Sequence, residues 1–247
     1  QSDRLVLHYQ PKVNAQTHAV IGMEALARWP HAVRGMVSPD DFIPMAERTG
    51  LINLLTAWVL QSALRQTSAW STAGKNFSIA INLFTRYLQH EDIAAEIQEL
   101  VHCNNLPPAQ VTLEITEGAV MVNPKRAYAI LGKLRAFGIR IAIDDFGTGH
   151  SSLAYLKQLP ADQLKIDKSF VMDIKDKGNA AIVRSTIELA HHLGLEVTAE
   201  GVEDKEALQD LKTLGCDVAQ GYYIGRPMPA AQIDAWCASW AAHTGGR

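Results

Sequence analysis

From about residue 78 onward, short apolar runs rich in β-branched residues alternate with longer segments of helical period, and few folds accommodate that rhythm. "SIAINL" (78–83), "VTLEIT" (111–116), "IRIAIDDF" (139–146), "QLKID" (163–167), "EVTAEGV" (196–202) and "VAQGYYI" (218–224) read as strands. Between them, "EDIAAEIQELVHC", "PKRAYAILGKLRAF", "AAIVRSTIELAHHL" and "KEALQDLKTL" read as amphipathic helices. Gly138, Gly194 and Gly215 each fall where a helix stops before the next strand. Upstream, "LVLHYQPKVN" and "AVIGMEALARW" form a hairpin joined by a polar turn around Asn14–His18, and "DFIPMAERTGLINLLTAWVLQSALRQTSAW" is a helical stretch. Eight strands in 247 residues, alternating with helices, predict an α/β fold of the (β/α)8 TIM-barrel type. An open doubly wound sheet is the structural alternative, but no GxGxxG follows an early strand. No linker or low-complexity segment divides the chain, so residues 1–247 read as a single domain.

In a barrel strand one face meets the helices and the other fills the interior, so side chains sort by parity. In "SIAINL", Ile79, Ile81 and Leu83 share one face; Ser78, Ala80 and Asn82 share the other. Val111, Leu113 and Ile115 oppose Thr112, Glu114 and Thr116. Lys165 and Asp167 oppose Leu164 and Ile166, and Thr198 and Glu200 oppose Val197 and Ala199. Each strand thus has a polar side with its charge near the C-terminal end, where barrel enzymes carry their active sites. Asn82, Glu114, Asp144, Lys165, Glu200 and Gln220 converge on one mouth, and Glu24 of the hairpin joins them.

For any one of these residues, a surface carboxylate satisfied by water or a helix N-terminus is the plainer account. Acids and amides on successive strands at equivalent heights favour a site. Crowded carboxylates raise one another's pKa values and resist ionising unless divalent cations neutralise them. An all-oxygen set without His or Cys favours Mg²⁺ or Mn²⁺ over zinc. "IAIDDFGTGHSSL" (141–153) sets Asp144 beside Asp145, an unfavourable pair unless one carboxylate bridges two ions and its neighbour holds the second. Two metals about 3.5–4 Å apart suit in-line phosphoryl displacement. Lys165 is costly to bury away from those acids; it either orients and helps deprotonate a water or balances charge. "FGTGHSS" is either a phosphate-binding or gating loop, or a strand, a turn and an N-cap at Ser151–Ser152.

A net charge of −3 argues against a polyanion-binding surface, while leaving room for a pocket that holds a small phosphate ligand. Cys103, Cys216 and Cys237 form neither a disulfide framework nor a zinc pattern, which fits a reducing cytoplasm. The nine histidines are scattered, no HExxH occurs, and His191–His192 reads as an exposed or packed helical pair. No apolar stretch reaches the roughly 20 residues that span a bilayer. The chain opens on Gln1 rather than Met, so a segment of a longer protein is expected, with any sensor or membrane portion elsewhere.

Nine blocks carry a family resemblance: "YQPKV" (9–13), "GMEALARW" (22–29), "SPDDFIPMAE" (38–47), "INL" (81–83), "LEITE" (113–117), "IDDFGTGHSSL" (143–153), "LKIDKSFV" (164–171), "TAEGVE" (198–203) and "QGYYIGRPM" (220–228). In order and over nearly the whole chain, they closely resemble the EAL-domain phosphodiesterases of bacterial cyclic di-GMP signalling. The glutamate–alanine–leucine signature stands as Glu24-Ala25-Leu26. The resemblance implies a barrel variant with an antiparallel first strand, consistent with the hairpin. It also implies two divalent cations, Mg²⁺ or Mn²⁺, on Glu24, Asn82, Glu114, Asp144 and Asp145. Lys165 and Glu200 match catalytic positions. Arg28, Gln220 and Leu26 match substrate-binding positions. Glu117, Glu203, Gly147, Thr148 and Gly149 match residues that support the aspartate-rich loop and the site.

The activity implied is hydrolysis of one phosphodiester bond of cyclic di-GMP to linear pGpG, by a water activated between two cations. Lys165 is favoured as its orienter and activator, with Glu200 as the other candidate. The implied partners are cyclic di-GMP and a second copy of the chain, with no DNA or RNA polymer and a membrane only through a missing segment. The implied location is the cytoplasm, including the cytoplasmic part of a membrane-bound sensor. A non-catalytic cyclic di-GMP receptor and a metal-dependent barrel lyase or isomerase are the competing readings. Receptors of the family typically lack some metal ligands, and here every matched position is filled. Two departures stand out: His150 replaces the family's usual tyrosine, and Leu83-Phe84 replaces a more common Val-Ser.

Overall fold

The structure, a computed structural model, describes residues 5–90, 92–147 and 157–245. Its strands are β1 (Val6–Asn14), β2 (Val20–His31), β3 (Gly35–Val37), β4 (Ser78–Asn82), β5 (Val111–Thr116), β6 (Arg140–Phe146), β7 (Gln163–Ile166), β8 (Glu196–Ala199) and β9 (Val218–Gln220). They form one sheet in the order β1-β9-β8-β7-β6-β5-β4-β2-β3, and pairing of β1 with β2 closes eight of them into a barrel. β1 runs antiparallel to both its neighbours, while β2 and β4 to β9 are mutually parallel around the ring. The barrel variant expected from the sequence is therefore the observed fold. The β1–β2 turn is held by Asn14, whose Oδ1 accepts from the backbone N–H of Gln16 and Thr17 at 3.0 and 2.8 Å. β3 is a three-residue extension beyond the ring, too short for a periodic signal.

Helices cover the outside: α1 (Pro39–Thr49), α2 (Ile52–Thr72), α3 (Ile93–Cys103), α4 (Glu117–Met121), α5 (Pro124–Phe137), α6 (Lys168–Val171), α7 (Lys177–His192), α8 (Lys205–Thr213) and α9 (Ile233–Thr244). The long helical stretch expected after the hairpin is two helices. Gly50 adopts φ +78° and ends α1, a left-handed cap that only glycine takes cheaply. The last two strands are shorter than their apolar runs. β9 stops at Gln220 because Gly221 packs on Val202, whose backbone N and O would lie 2.2 Å from an added Cβ. No described helix is long and apolar enough to cross a membrane.

Parity sorts the strands as the sequence predicts. Ile79, Ile81, Leu113, Ile115, Ile141, Ile143, Leu164, Ile166, Val197 and Ala199 are buried between barrel and helices. Burying each large aliphatic side chain stabilises the fold by about 1.5–3 kcal/mol. The alternate positions, Ala80, Thr112, Glu114, Ala142, Gln163, Lys165 and Thr198, are equally buried but small or polar. The apolar core thus lies around the barrel and the polar groups lie inside it.

Candidate active site

The inward residues meet at the C-terminal ends of the parallel strands, around the amino group of Lys165. Its Nζ lies 2.6 Å from Glu114 Oε2, 2.6 Å from Glu200 Oε1, 3.1 Å from Asp144 Oδ1 and 4.0 Å from Glu24 Oε1. Burial alone lowers a lysine pKa, but Asp144, Glu114, Glu200 and Glu24 together carry Lys165 well above its ordinary value. It is a fixed cation.

Glu24 enters from β2, where two amides hold it. Asn82 Nδ2 donates to Oε1 at 2.8 Å and Gln220 Nε2 to Oε2 at 2.5 Å. Burial, helped by the charges of Glu114, Glu200 and Asp144, pushes Glu24 up to about 8 against the pull of Lys165. Gln220 also donates to Gln10 Oε1 at 3.1 Å, and Gln10 Nε2 donates to the Gly225 carbonyl at 3.1 Å. Glu114 is fully buried on β5 and accepts at Oε1 from Lys12 Nζ at 3.2 Å. Burial would raise it, but the ammoniums of Lys165 and Lys12 bring it down to about 2.

Glu200 lies just past the end of β8 rather than in the strand, with its backbone N–H donating to the Ile166 carbonyl at 3.2 Å. Burial pushes its carboxyl up to about 7, aided by Asp144 and Glu114 and opposed by Lys165.

The adjacent aspartates sit at an irregularity in β6. Ile143 pairs with Leu164 and Phe146 with Ile166, so β6 spends one residue more than β7 across that interval. Asp145 takes φ +55°, rare for a residue with a side chain. Regular alternation would send neighbours to opposite faces; the bulge breaks that alternation where the two carboxylates stand. Asp144 faces Lys165, and the Asp145 N–H donates to Asp144 Oδ1 at 2.9 Å. Burial and the charges of Asp144 and Asp167 raise the Asp145 pKa.

A cavity of about 510 Å³ opens in front of this cluster, within the range of small-molecule sites. Leu26, Lys168, Met172, Glu203 and Tyr222 line it, together with Gln10, Glu24, Asn82, Asp144, Lys165, Glu200 and Gln220, while Glu114 stays outside the lining. Arg28 shares the inward face of β2 but stands apart from the lining, its Nη1 donating to the Ala27 carbonyl at 2.8 Å. Glu117 opens α4, behind the cap in which Thr116 accepts from Ala119 N–H at 3.3 Å. Gly147 follows the bulge with φ +98°. Thr148, Gly149, His150 and Ser151–Ser152 lie outside the described residues.

Gln10, Lys12, Lys168, Met172 and Tyr222 are additions that sequence reasoning missed. For Gln10 and Lys12 the signal was available, since "YQPKV" alternates in phase with an inward face. His191 and His192 belong elsewhere: on α7 they hydrogen-bond Asp217 and the Glu188 carbonyl.

Among the described residues, no three His, Cys, Asp or Glu side chains stand ready-made around an ion position; the carboxylates converge on Lys165. The donor set nevertheless suits a hard divalent cation. Among the described residues, Lys165 and Lys12 are the ammoniums that pair with Glu24, Glu114, Asp144 and Glu200, and every prospective ligand atom is oxygen. Gln220 Oε1 is buried and accepts no hydrogen bond among the described residues.

A family model described as EAL domain matches residues 1–227. The bifunctional diguanylate cyclase/cyclic di-GMP phosphodiesterase MucR of Pseudomonas aeruginosa is 44% identical over 232 residues, 93% of this chain and 34% of MucR. The cyclic di-GMP phosphodiesterase NbdA of the same species is 39% identical over 236 residues, 95% of this chain and 30% of NbdA. The chain thus spans about a third of the length of these curated relatives. Among solved structures, the PaMucR phosphodiesterase in its c-di-GMP complex matches with a TM-score of 0.89 at 44% identity, covering 93% of this chain and 94% of that one.

Proposed function

Because the chain belongs to the EAL-domain family of cyclic di-GMP phosphodiesterases, we propose that it hydrolyses one phosphodiester bond of cyclic di-GMP to linear pGpG. The observation that carries this reading is the ring of four carboxylates around one ammonium, placed behind a cavity of about 510 Å³ at the barrel mouth. Glu24, Asn82, Glu114, Asp144 and Asp145 would hold two divalent cations, Mg²⁺ or Mn²⁺. Bound there, the cations supply Lewis-acid stabilisation of phosphoryl charge and make water more acidic.

Lys165 orients Glu114, Asp144 and Glu200 and presents fixed positive charge to the anionic substrate. Glu200 is the most open carboxylate of the four, with 20% of its side chain exposed against 13% for Asp144, 7% for Glu24 and none for Glu114. It takes the proton of the attacking water as the new P–O bond forms and the bond to the ribose 3′ oxygen breaks. The leaving oxygen gains a proton from solvent. Leu26, Arg28 and Gln220 bind the substrate, and Glu117, Glu203 and Gly147, with Thr148 and Gly149, support the site. The barrel is one domain of a longer cytoplasmic signalling protein that pairs as a homodimer; the greater length of MucR and NbdA supports the first part of that reading.

Incubation with cyclic di-GMP and Mg²⁺ or Mn²⁺ tests the proposal. The expected result is pGpG in chromatographed products. Tight binding without turnover would replace it with a non-catalytic receptor.

A further inference from the structure

We infer that Lys12 is a positioning residue for Glu114, clamping that carboxylate from across the barrel. The inference rests on the reading of Glu114 as a cation ligand. β1 runs against the direction of its neighbours, and Lys12 is in register with Gly22 on β2 and Gln220 on β9. β5, which carries Glu114, is not adjacent to β1 in the ring. The lysine is 4% exposed, and its head group crosses the interior to reach Glu114 Oε1 at 3.2 Å. Lys165 reaches the other oxygen, Oε2, at 2.6 Å. A different ammonium therefore holds each oxygen of a carboxylate with no exposed surface.

The last torsion of a glutamate is broad and soft. Fixing both oxygens removes that freedom and leaves one orientation of the group. A lysine placed for packing alone would lay its stem along apolar surface and send its head to water; Lys12 sends its head inward. Outer partners of this kind set the aim of a cation ligand, and losing one costs about 10–100-fold in cation affinity or activity. Nothing in the mechanism above uses Lys12, so its effect is separable from those of Lys165 and Glu200.

The test compares Lys12→Met and Lys12→Gln with wild type for Mn²⁺ affinity by calorimetry, for kcat and KM on cyclic di-GMP, and for melting in chelator. Lys12→Met is expected to weaken Mn²⁺ binding and lower kcat by about 10–100-fold with KM little changed. Lys12→Gln, which keeps a donor, recovers part of both losses. In cation-free protein the melting shifts of Lys12→Met and Glu114→Gln are expected to be non-additive, because they report one contact. Additive shifts, or a variant that only melts lower while matching wild type in Mn²⁺ affinity and kcat, would overturn the assignment. If Lys12→Met does not fold, Lys12→Gln carries the same comparison. A wild type that neither binds Mn²⁺ nor turns over sinks the functional reading and this inference together; variants that match an active wild type sink Lys12 alone.

Discussion

At the floor of the barrel, where the parallel strands begin, Glu196 meets Arg140 at 2.7 Å, Asp162 meets Arg135 at 2.9 Å and Asp217 meets His191 at 2.8 Å. Two of those carboxylates also pin strand backbone: Asp162 accepts from Ile141 N–H and Asp217 from Val197 N–H. At the mouth, Glu24, Glu114, Asp144 and Glu200 all gather on Lys165, with Lys12 adding one contact. Each of these floor carboxylates has its own side-chain partner and two are tied to strand backbone, so they belong to architecture. Mouth charges are in excess and leave Glu24 and Glu200 reluctant to ionise. That excess is a capacity for positive charge brought from outside.

The hardest test of this contrast removes one mouth carboxylate. Glu24→Ala or Asp144→Ala should lower turnover on the order of 10³-fold or more with circular dichroism unchanged, and stripping divalent cations with a chelator should do the same reversibly. Near-normal rates in either variant would break the distinction between the two ends. Lys165→Ala should lower kcat by roughly 10²–10³-fold, the loss of a preorganised charge, while the dissociation constant for cyclic di-GMP moves far less; equal losses in both would confine its charge to substrate binding.

A smaller effect concerns stability. Glu24 near 8 and Glu200 near 7 both stand above the unfolded carboxyl value of 4.5, so the folded state binds more protons in that window. Cation-free protein should therefore lose melting temperature as pH rises from 5 to 8 (by a few degrees), and Glu24→Gln should flatten the slope. A flat wild-type profile in chelator would mean the mouth charges are already balanced. Smallest of all, Arg140→Met should lower melting by a degree or two, since partly exposed pairs contribute about 0.2–1 kcal/mol. Its turnover should stay at the wild-type level; a large fall would make the floor part of the site.

The strand parity that placed Glu114, Lys165 and Gln220 was legible because alternation repeats from strand to strand, and a slip of one residue would bury the wrong face. Lys12 escaped the same rule for a directional reason. The parallel strands carry their charge toward their C-terminal ends, but β1 is reversed, so its inward polar residues do not follow that gradient. Glu200 reads as a strand residue because "EVTAEGV" keeps its alternation beyond Ala199, whereas the regular ladder stops there and only single backbone bonds from Glu200 and Val202 continue it. Gly50 reads as interior to one helix because apolar residues at helical spacing resume at once after it, with Leu51, Ile52, Leu54 and Leu55. The bulge at Asp144–Asp145 leaves no composition signal; pairing with β7 creates it.

Closure of the ring through β1 has a consequence for the order in which the protein becomes competent. Gln220 holds Glu24 across 196 residues and Gln10 across 210. During synthesis, a chain that has emerged only as far as Glu200, just past β8, carries every carboxylate of the mouth and Lys165, yet β1 has just one strand beside it. Contacts this distant in sequence form slowly. Competence thus arrives with the last strand, and an unfinished or truncated chain carries the chemistry's residues without their final alignment.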